Sequence, residues 1–157
     1  MTDRQITIPY IAAAYEELAA ADRELVDKAR EATHRSYAPY SHFYVGAAIR
    51  LDDGTVVTGS NQENVAFPSG TCAERTACYY AHSAHPDTAF NTIAIAARQS
   101  DGSEIAVPVA PCGACRQALL EYELLAGHDV RVILVGSKEV YILPSVRALL
   151  PFAFTEF

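Results

Sequence analysis

The sequence lacks an excess of basic charge, a long apolar run and a secretory leader pattern. Its 12 Lys and Arg are outnumbered by 19 Asp and Glu, so the net charge is −7 and the basic face of a typical nucleic-acid binder is missing. The apolar runs Ile93–Ala97 and Val130–Gly136 are far too short to span a bilayer. Residues Met1–Gln5 are polar and do not change from charged to apolar as a signal peptide does. We therefore expect a cytoplasmic protein that binds neither nucleic acid nor a membrane.

Cysteine is also scarce, with four residues among 157. Four cysteines could form two disulfides, but that arrangement suits short secreted scaffolds, and the sequence carries no signal for secretion. The length fits one domain, and because half of the residues are hydrophobic the chain can bury a substantial core without disulfides. The cysteines therefore call for an explanation other than covalent cross-linking.

Three of the cysteines and a glutamate form a spaced pattern. Cys72 and Glu74 lie two positions apart, and forty positions after Cys72 comes Cys112, in the run Pro-Cys-Gly-Ala-Cys that ends at Cys115. Three thiolates can hold a zinc ion and leave its fourth position open to water. A carboxylate beside such a site can move protons on and off that water, so the pattern predicts a catalytic zinc centre.

Both cysteine groups lie at predicted helix starts. Unpaired backbone N–H groups and the helix dipole at such positions stabilise thiolates. Arg75 lies one helical turn after Cys72, so its guanidinium can reach the sulfur cluster. Arg116 follows Cys115 and can act in the same way, but it can equally lie on the surface or against Glu121.

The fourth cysteine distinguishes a catalytic zinc site from a structural one. Cys78 lies six residues after Cys72, which on a helix turns it well away from the direction of Cys72, so we expect a buried apolar thiol. If Cys78 or a histidine completed the zinc shell, the protein would be a structural zinc module that binds a partner without catalysis. The five histidines show no finger-like spacing with the cysteines, so we assign them no chemistry.

Hydrophobic periodicity predicts an early hairpin followed by alternating helices and strands. Asp-Asp-Gly at 52–54 lies between two β-prone runs and is typical of a hairpin turn. This order indicates an α/β fold, a three-layer α/β/α sandwich with a mixed five-stranded sheet. The predicted strands are Phe43–Leu51, Thr55–Gln62, Thr92–Ala97, Val130–Val135 and Val140–Leu143, and the predicted helices are 22–35, 72–82, 112–122 and 145–149.

The first 21 residues are predicted to be an N-terminal extension to a catalytic domain over 22–157. Ile6, Ile8 and Tyr10 alternate as in a strand, although Pro9 favours an edge strand or an irregular segment. We expect a terminal arm that packs on the core or on a neighbouring subunit.

Six blocks of the sequence resemble the small, homotetrameric cytidine deaminases of the three-cysteine zinc type. The blocks occur in that family's order and extend from about Asp22 to the C-terminus. A single Pro-Cys-x-x-Cys run is a weak signal, whereas six ordered blocks with matching chemistry are specific. The blocks are Tyr-Ala-Pro-Tyr-Ser at 37–41, Phe-x-Val-Gly-Ala-Ala at 43–48, Asn-x-Glu-Asn at 61–64, Thr-Cys-Ala-Glu-Arg-Thr at 71–76, Pro-Cys-Gly-Ala-Cys-Arg-Gln at 111–117, and Leu-Leu-Pro at 149–151 with Phe154.

The resemblance implies a zinc-dependent hydrolase that deaminates cytidine and 2′-deoxycytidine to uridine and 2′-deoxyuridine in pyrimidine salvage. It assigns one zinc ion per subunit to Cys72, Cys112 and Cys115, and it assigns proton transfer to Glu74, a non-ligand glutamate as in the zinc-deaminase signature. It gives Arg75 a supporting role behind the ligands. It also implies a homotetramer whose active sites are shared between subunits.

The resemblance further implies a set of substrate-binding residues. Asn61 and Glu63 match the pair that binds the ribose hydroxyls, because an amide donates and accepts hydrogen bonds while a carboxylate accepts them. Phe43 matches an aromatic side chain that lines the pyrimidine and ribose pocket, and Ala73 is placed among the substrate contacts. Phe154 matches a C-terminal phenylalanine that enters a neighbouring subunit's site. Ordinary core packing is the alternative for both phenylalanines.

Two positions depart from the family pattern, and two other substrate classes remain open. Phe67 stands where the family often has tyrosine near a subunit contact, and Phe152 stands where glycine is common, which can change the turn of the tail. Another amino-heterocycle, such as blasticidin or a nucleotide, is an alternative substrate, but a nucleotide would require a cationic phosphate site. Editing of RNA is disfavoured by the acidic charge.

Overall fold

A mixed six-stranded sheet forms the centre of the computed structural model, which describes residues 1–156 of the chain. The strands are β1 Ile11–Ala13, β2 Tyr44–Leu51, β3 Val56–Ser60, β4 Phe90–Arg98, β5 Arg131–Val135 and β6 Val140–Leu143, and the helices are α1 Ala20–Ala32, α2 Ala73–Ala84 and α3 Gly113–Ala126. The strand order is β1-β6-β5-β4-β2-β3. β4 and β5 are parallel, and every other neighbouring pair is antiparallel.

Helices cover both faces of the sheet. On one face, α1 buries Leu25, Val26 and Ala29 against sheet residues that include Ala48 and Ile133. On the other face α2 and α3 lie side by side over the sheet, which confirms the predicted α/β/α sandwich. The cluster on this second face includes Ala73, Ala77, Cys78, Ala81, Leu119 and Leu120 from the helices and Ala47, Ile49, Ile93 and Ile95 from the sheet.

The predicted hairpin is confirmed as β2 and β3. Gly54 has a φ of 88°, a left-handed conformation that suits glycine and closes the tight turn. The N–H of Gly54 donates to the carbonyl of Leu51 at 3.0 Å, and the N–H of Leu51 donates to the carbonyl of Thr55 at 2.8 Å. Beyond the turn the two strands pair antiparallel as far as Gly46 and Ser60.

The prediction of five strands is wrong by one, because the N-terminal segment supplies an edge strand. β1 pairs antiparallel with β6, with Ile11 opposite Ile142. The alternation at Ile6, Ile8 and Tyr10 does not mark this strand, since pairing begins only after Pro9, which has no N–H to donate. The extension predicted over 1–21 therefore takes part in the sheet of the domain.

The third helix is longer than predicted. α3 continues past the predicted end at Tyr122 to Ala126, and Gly127 caps it in a left-handed conformation with a φ of 71°. Glu123 lies just beyond the predicted end, and its side chain is buried and accepts a hydrogen bond from the backbone N–H of Val130. The helix predicted at 145–149 is a single 3₁₀ turn, Arg147–Leu149. Within residues 1–156, no helix combines the length and the apolar character needed to cross a membrane.

Candidate active site

The first turns of α2 and α3 bring three cysteines together. Cys72 and Cys112 are the N-cap residues of α2 and α3, and Cys115 lies in the first turn of α3. Their three Sγ atoms lie within 4.8 Å of one another. All four cysteines of the chain are free, so disulfides do not hold this fold together. The structure thus assembles the three residues that the sequence predicts as metal ligands.

The donor set fits zinc with an open coordination position. Thiolates are soft ligands that suit zinc, and catalytic zinc sites use three protein ligands and leave the fourth position to water or substrate. Within residues 1–156, these cysteines are the one group of three or more His, Cys, Asp or Glu close enough to hold a metal ion. Cys78 lies outside it, since its Sγ donates to the Arg75 carbonyl at 3.5 Å and burial raises the pKa of this thiol to about 12.

Positive charge lies directly against the sulfur cluster. Nη2 of Arg75 donates to Sγ of Cys72 at 3.6 Å. Hydrogen bonds from the Cys115 thiol and from Arg75 lower the pKa of Cys72 to about 5. The pKa of Cys115 is raised, because its proton is donated to Cys72 and because the side chain is buried. Together with the unpaired N–H groups of the two helix starts, Arg75 offsets the net negative charge that three thiolates give a divalent ion.

Glu74 is a buried carboxyl group beside the same cluster. It lies in the first turn of α2 and is only 5% exposed. Burial raises its pKa. A carboxyl group held next to the three sulfurs and shielded from bulk water can pass a proton to or from a molecule bound there.

A cavity of about 500 Å³ opens beside the metal ligands. Asn61 and Glu63 line it on the side of β3, and Cys72 and Arg75 line it at the start of α2. Phe67 is also part of the wall. The predicted ribose-binding pair and one predicted zinc ligand therefore face a common space.

The Glu63 carboxylate is fixed by the turn that precedes β2. Its Oε2 accepts hydrogen bonds from the backbone N–H groups of Tyr40 at 2.8 Å and Ser41 at 3.2 Å. Hydrogen bonds from Ser41 and Tyr40 lower the pKa of Glu63, so the side chain is an ionised acceptor at neutral pH.

The Asn61 amide joins the end of β3 to the start of β2. Its Oδ1 accepts from the N–H of Val45 at 2.8 Å, and its Nδ2 donates to the carbonyl of Phe43 at 2.9 Å. These bonds leave one amide hydrogen and one oxygen lone pair unused. Phe43 itself is half-buried and is not among the residues that line the cavity. Asn61 thus holds the backbone of Phe43 in place.

The remaining predicted substrate contacts lie apart from the cavity walls of this chain. Ala73 is fully buried as the first residue of α2. Phe154 is exposed in the C-terminal tail, where its carbonyl accepts a hydrogen bond from Nε2 of Gln117 at 2.8 Å. Phe152 has a φ of 55°, a left-handed conformation that is uncommon for a residue other than glycine.

Arg116 has a role that the sequence did not reveal. Its Nε donates to the carbonyl of Pro111 at 2.8 Å, and its Nη1 donates to the carbonyl of Leu149 at 2.7 Å. It therefore braces the loop that enters α3 against the C-terminal 3₁₀ turn. The run from Pro111 to Gln117 was visible as a motif, but nothing in its spacing indicates a bond to a carbonyl more than thirty residues away.

Comparison with known proteins places this geometry in a family. The family model for the cytidine and deoxycytidylate deaminase zinc-binding region matches residues 19–126. The cytidine deaminase of Halalkalibacterium halodurans is 39% identical over 135 residues, which cover 85% of this chain and 95% of that protein. The chain belongs to the cytidine deaminase family. A cytidine deaminase of Mycobacterium tuberculosis is 43% identical over 106 residues, covering 66% of this chain and 74% of that protein.

Solved structures of cytidine deaminases have the same fold. The crystal structure of cytidine deaminase from Burkholderia pseudomallei aligns with a TM-score of 0.70 at 37% identity, covering 83% of this chain and 97% of that one. The enzyme from Mycobacterium tuberculosis aligns with a TM-score of 0.66 at 34% identity, covering 85% and 96%. As a member of this family, the chain is a zinc-dependent deaminase, and its three clustered cysteines are placed so that they could hold the metal ion.

Proposed function

We propose that the protein catalyses the hydrolytic deamination of cytidine and 2′-deoxycytidine to uridine and 2′-deoxyuridine, in pyrimidine salvage in the cytoplasm. The observation that carries the proposal is the cluster of Cys72, Cys112 and Cys115 with the buried Glu74 beside it. A cavity lined by Asn61 and Glu63 adjoins this cluster. Membership of the cytidine deaminase family supports the same reaction.

Proton transfer by Glu74 is the central step of the proposed mechanism. Cys72, Cys112 and Cys115 would hold the zinc ion, which when bound would polarise a water molecule and lower its pKa towards neutrality. Glu74 accepts the first proton of that water and delivers it to N3 of the pyrimidine, while the water oxygen forms a bond to C4. Glu74 then transfers the second proton to the amino group, the C4–N bond breaks, and ammonia leaves. Cytidine and water are thereby converted to uridine and ammonia.

The sugar is bound on the β3 side of the cavity. Oε1 of Glu63 accepts a hydrogen bond from a ribose hydroxyl, because Oε2 is already held by backbone N–H groups. The unused amide hydrogen of Asn61 donates to a neighbouring hydroxyl oxygen. Phe43, whose backbone Asn61 holds, and Ala73 at the start of α2 complete the substrate contacts.

A free nucleoside fits this cavity better than a nucleotide. Among the described residues that line it, Arg75 is the only cationic side chain, and its guanidinium is engaged with Cys72. A phosphate group would bring at least one more negative charge next to Glu63. The net charge of −7 also disfavours a nucleic-acid substrate.

A homotetramer with shared sites is part of the same proposal. Phe154 in the tail is 65% exposed, and aromatic side chains are enriched in the interfaces between proteins. In the proposed assembly, Phe154 of one subunit reaches the pocket of a neighbouring subunit. We assign the catalytic domain of each subunit to residues 22–157.

A spectrophotometric assay tests the proposed reaction. The zinc-loaded protein is incubated with cytidine, 2′-deoxycytidine or cytidine monophosphate, and the ultraviolet change from cytosine to uracil is followed with and without a zinc chelator. We expect turnover of both nucleosides, little turnover of the nucleotide, and loss of activity when the metal is removed. Zinc-loaded protein that leaves both nucleosides unchanged would contradict the proposal.

A further inference from the structure

The zinc-bearing helix α2 lies in direct backbone contact with β3 at Gly59. A Cβ atom placed on Gly59 would lie 2.4 Å from the backbone nitrogen of Ala77 and 2.8 Å from the carbonyl oxygen of Ala73. These two atoms are the ends of an i to i−4 hydrogen bond in the first turns of α2, directly after the bond from the N–H of Thr76 to the carbonyl of Cys72. Because both belong to helix backbone, neither can rotate away from an added side chain. Only glycine therefore permits this separation between the strand and the helix.

The same short stretch of chain joins the metal ligands to the substrate side of the cavity. Cys72 and Glu74 lie at the start of α2, within one helical turn of the contact with Gly59. Two residues beyond Gly59 on the strand side comes Asn61, whose amide holds Val45 and Phe43. A change in the distance between α2 and β3 would therefore move Cys72 and Glu74 relative to Asn61.

We propose that Gly59 is a positioning residue whose missing side chain sets the position of α2 relative to α3 and β3. With α2 in this position, Cys72 lies close enough to Cys112 and Cys115 of α3 to form one metal site. An added methyl group lifts the start of α2, separates Cys72 from the other two sulfurs and weakens metal binding. The effect on Asn61 rests on the proposed nucleoside-binding function, whereas the effect on the metal site does not.

Gly46 provides a matched control on the opposite face of the sheet. It lies on the neighbouring strand β2, one residue pair further along the β2–β3 ladder, because Gly46 pairs with Ser60 and Ala47 pairs with Gly59. A Cβ atom on Gly46 would lie 2.2 Å from the carbonyl oxygen of Ala29 in α1. The steric conflict is as severe as at Gly59, but α1 carries none of the proposed site residues.

Metal titration of Gly59→Ala and Gly46→Ala tests the inference without any substrate. Each purified apo-protein is titrated with Co²⁺ in competition with a chelator, its thiolate charge-transfer bands are recorded, and its thermal unfolding is measured. Both variants should lose stability, but only Gly59→Ala should lose metal affinity by about tenfold or more and show altered bands, as misplaced ligand supports do. Equal losses of metal affinity in the two variants, or wild-type affinity in Gly59→Ala, would overturn the inference.

A milder variant covers the case in which Gly59→Ala does not fold. Ala77→Ser adds a single oxygen to the fully buried helix surface over β3, so it should displace α2 less and weaken Co²⁺ binding by about threefold. Unchanged Co²⁺ affinity in folded Ala77→Ser would then refute the positioning role. Failure of the wild type to deaminate cytidine would refute the proposed function alone, because the metal titration does not depend on turnover.

Discussion

At the residue scale, Glu74 combines deep burial with a position beside the predicted metal-binding cysteines. A glutamine side chain at this position would keep the shape of the residue but could not carry a proton. We therefore predict that Glu74→Gln retains one zinc ion per subunit and loses at least about 100-fold in kcat, the usual size of a general acid–base contribution. Steady-state kinetics and metal analysis of the same sample check this result. Full activity with zinc retained would remove Glu74 from the mechanism.

His128 and Asp52 form an exposed pair far from the zinc site in sequence. Nε2 of the histidine lies 3.0 Å from Oδ2 of Asp52, and the carbonyl of Asp129 and then Asp52 raise the pKa of His128. Since the folded-state pKa lies above the value of about 6.5 in an unfolded chain, the stabilising contribution is present below that pH. It is lost as the pH rises through the folded-state pKa.

Nuclear magnetic resonance titration of the His128 ring measures this coupling. We predict that Asp52→Asn lowers the pKa of His128, because the carboxylate that stabilises the imidazolium is removed. Asp53→Asn serves as the control, since Asp53 is an adjacent carboxylate that bonds instead to the N–H of Thr55. A His128 titration that is identical in the wild type and Asp52→Asn would contradict the pairing.

At the scale of elements, α3 is fastened by a carboxylate within its last turns. The buried Glu123 accepts hydrogen bonds from the backbone N–H groups of Val130 at 3.0 Å, Val146 at 2.7 Å and Arg147 at 3.1 Å. Glu123 therefore ties α3 to the start of β5 and to the segment that leads into the C-terminal tail.

Removal of this carboxylate should be costly for stability. Glu123→Ala leaves three backbone donors without their partner, so we predict a fall of about 3 kcal/mol or more in the free energy of unfolding. The exposed neighbour Glu121 is a matched control, and Glu121→Ala should change stability by less than about 0.5 kcal/mol. Chemical denaturation measures both variants, and similar values for the two would show that the Glu123 network contributes little.

Elements with a local signal could be predicted from sequence, while those fixed by distant partners could not. The turn at Gly54 and the β-branched run of β5 identified their elements correctly, because turn chemistry and strand propensity act within a few residues. β1 was misplaced because pairing with β6, more than 120 residues away, decides where it begins. The last turn of α3 was not predicted, and there Glu123 is bonded to the backbone N–H groups of Val130 and Val146, which lie beyond the helix in sequence.

The same distinction holds for the site in the whole molecule. The three cysteines and Glu74 form a spacing pattern, from which the sequence predicts a site, and the structure brings the three cysteines together. The brace from Arg116 to Leu149 and the hold of Asn61 on Phe43 depend on tertiary contacts that leave no trace in spacing. The proposed role of Phe154 depends on contacts between subunits, because it requires a second copy of the chain.

The proposed tetramer makes a prediction for the tail. If Phe154 enters a neighbour's pocket, Phe154→Ala should raise the KM for cytidine by about tenfold or more, because a large apolar contact is lost. Phe152→Ala removes a similarly exposed ring two residues away and should leave the KM nearly unchanged. Light scattering should give a mass near four times the 17.0 kDa of one chain. Wild-type kinetics for Phe154→Ala would exclude that side chain from the site.

The central claim is that zinc is held by three thiolates with one position open. X-ray absorption spectroscopy of the zinc-loaded protein counts the ligand atoms and measures their distances. The account predicts three sulfur atoms at about 2.3 Å and one oxygen atom at about 2.0 Å. Four sulfur ligands, or a shell closed by protein side chains, would contradict it.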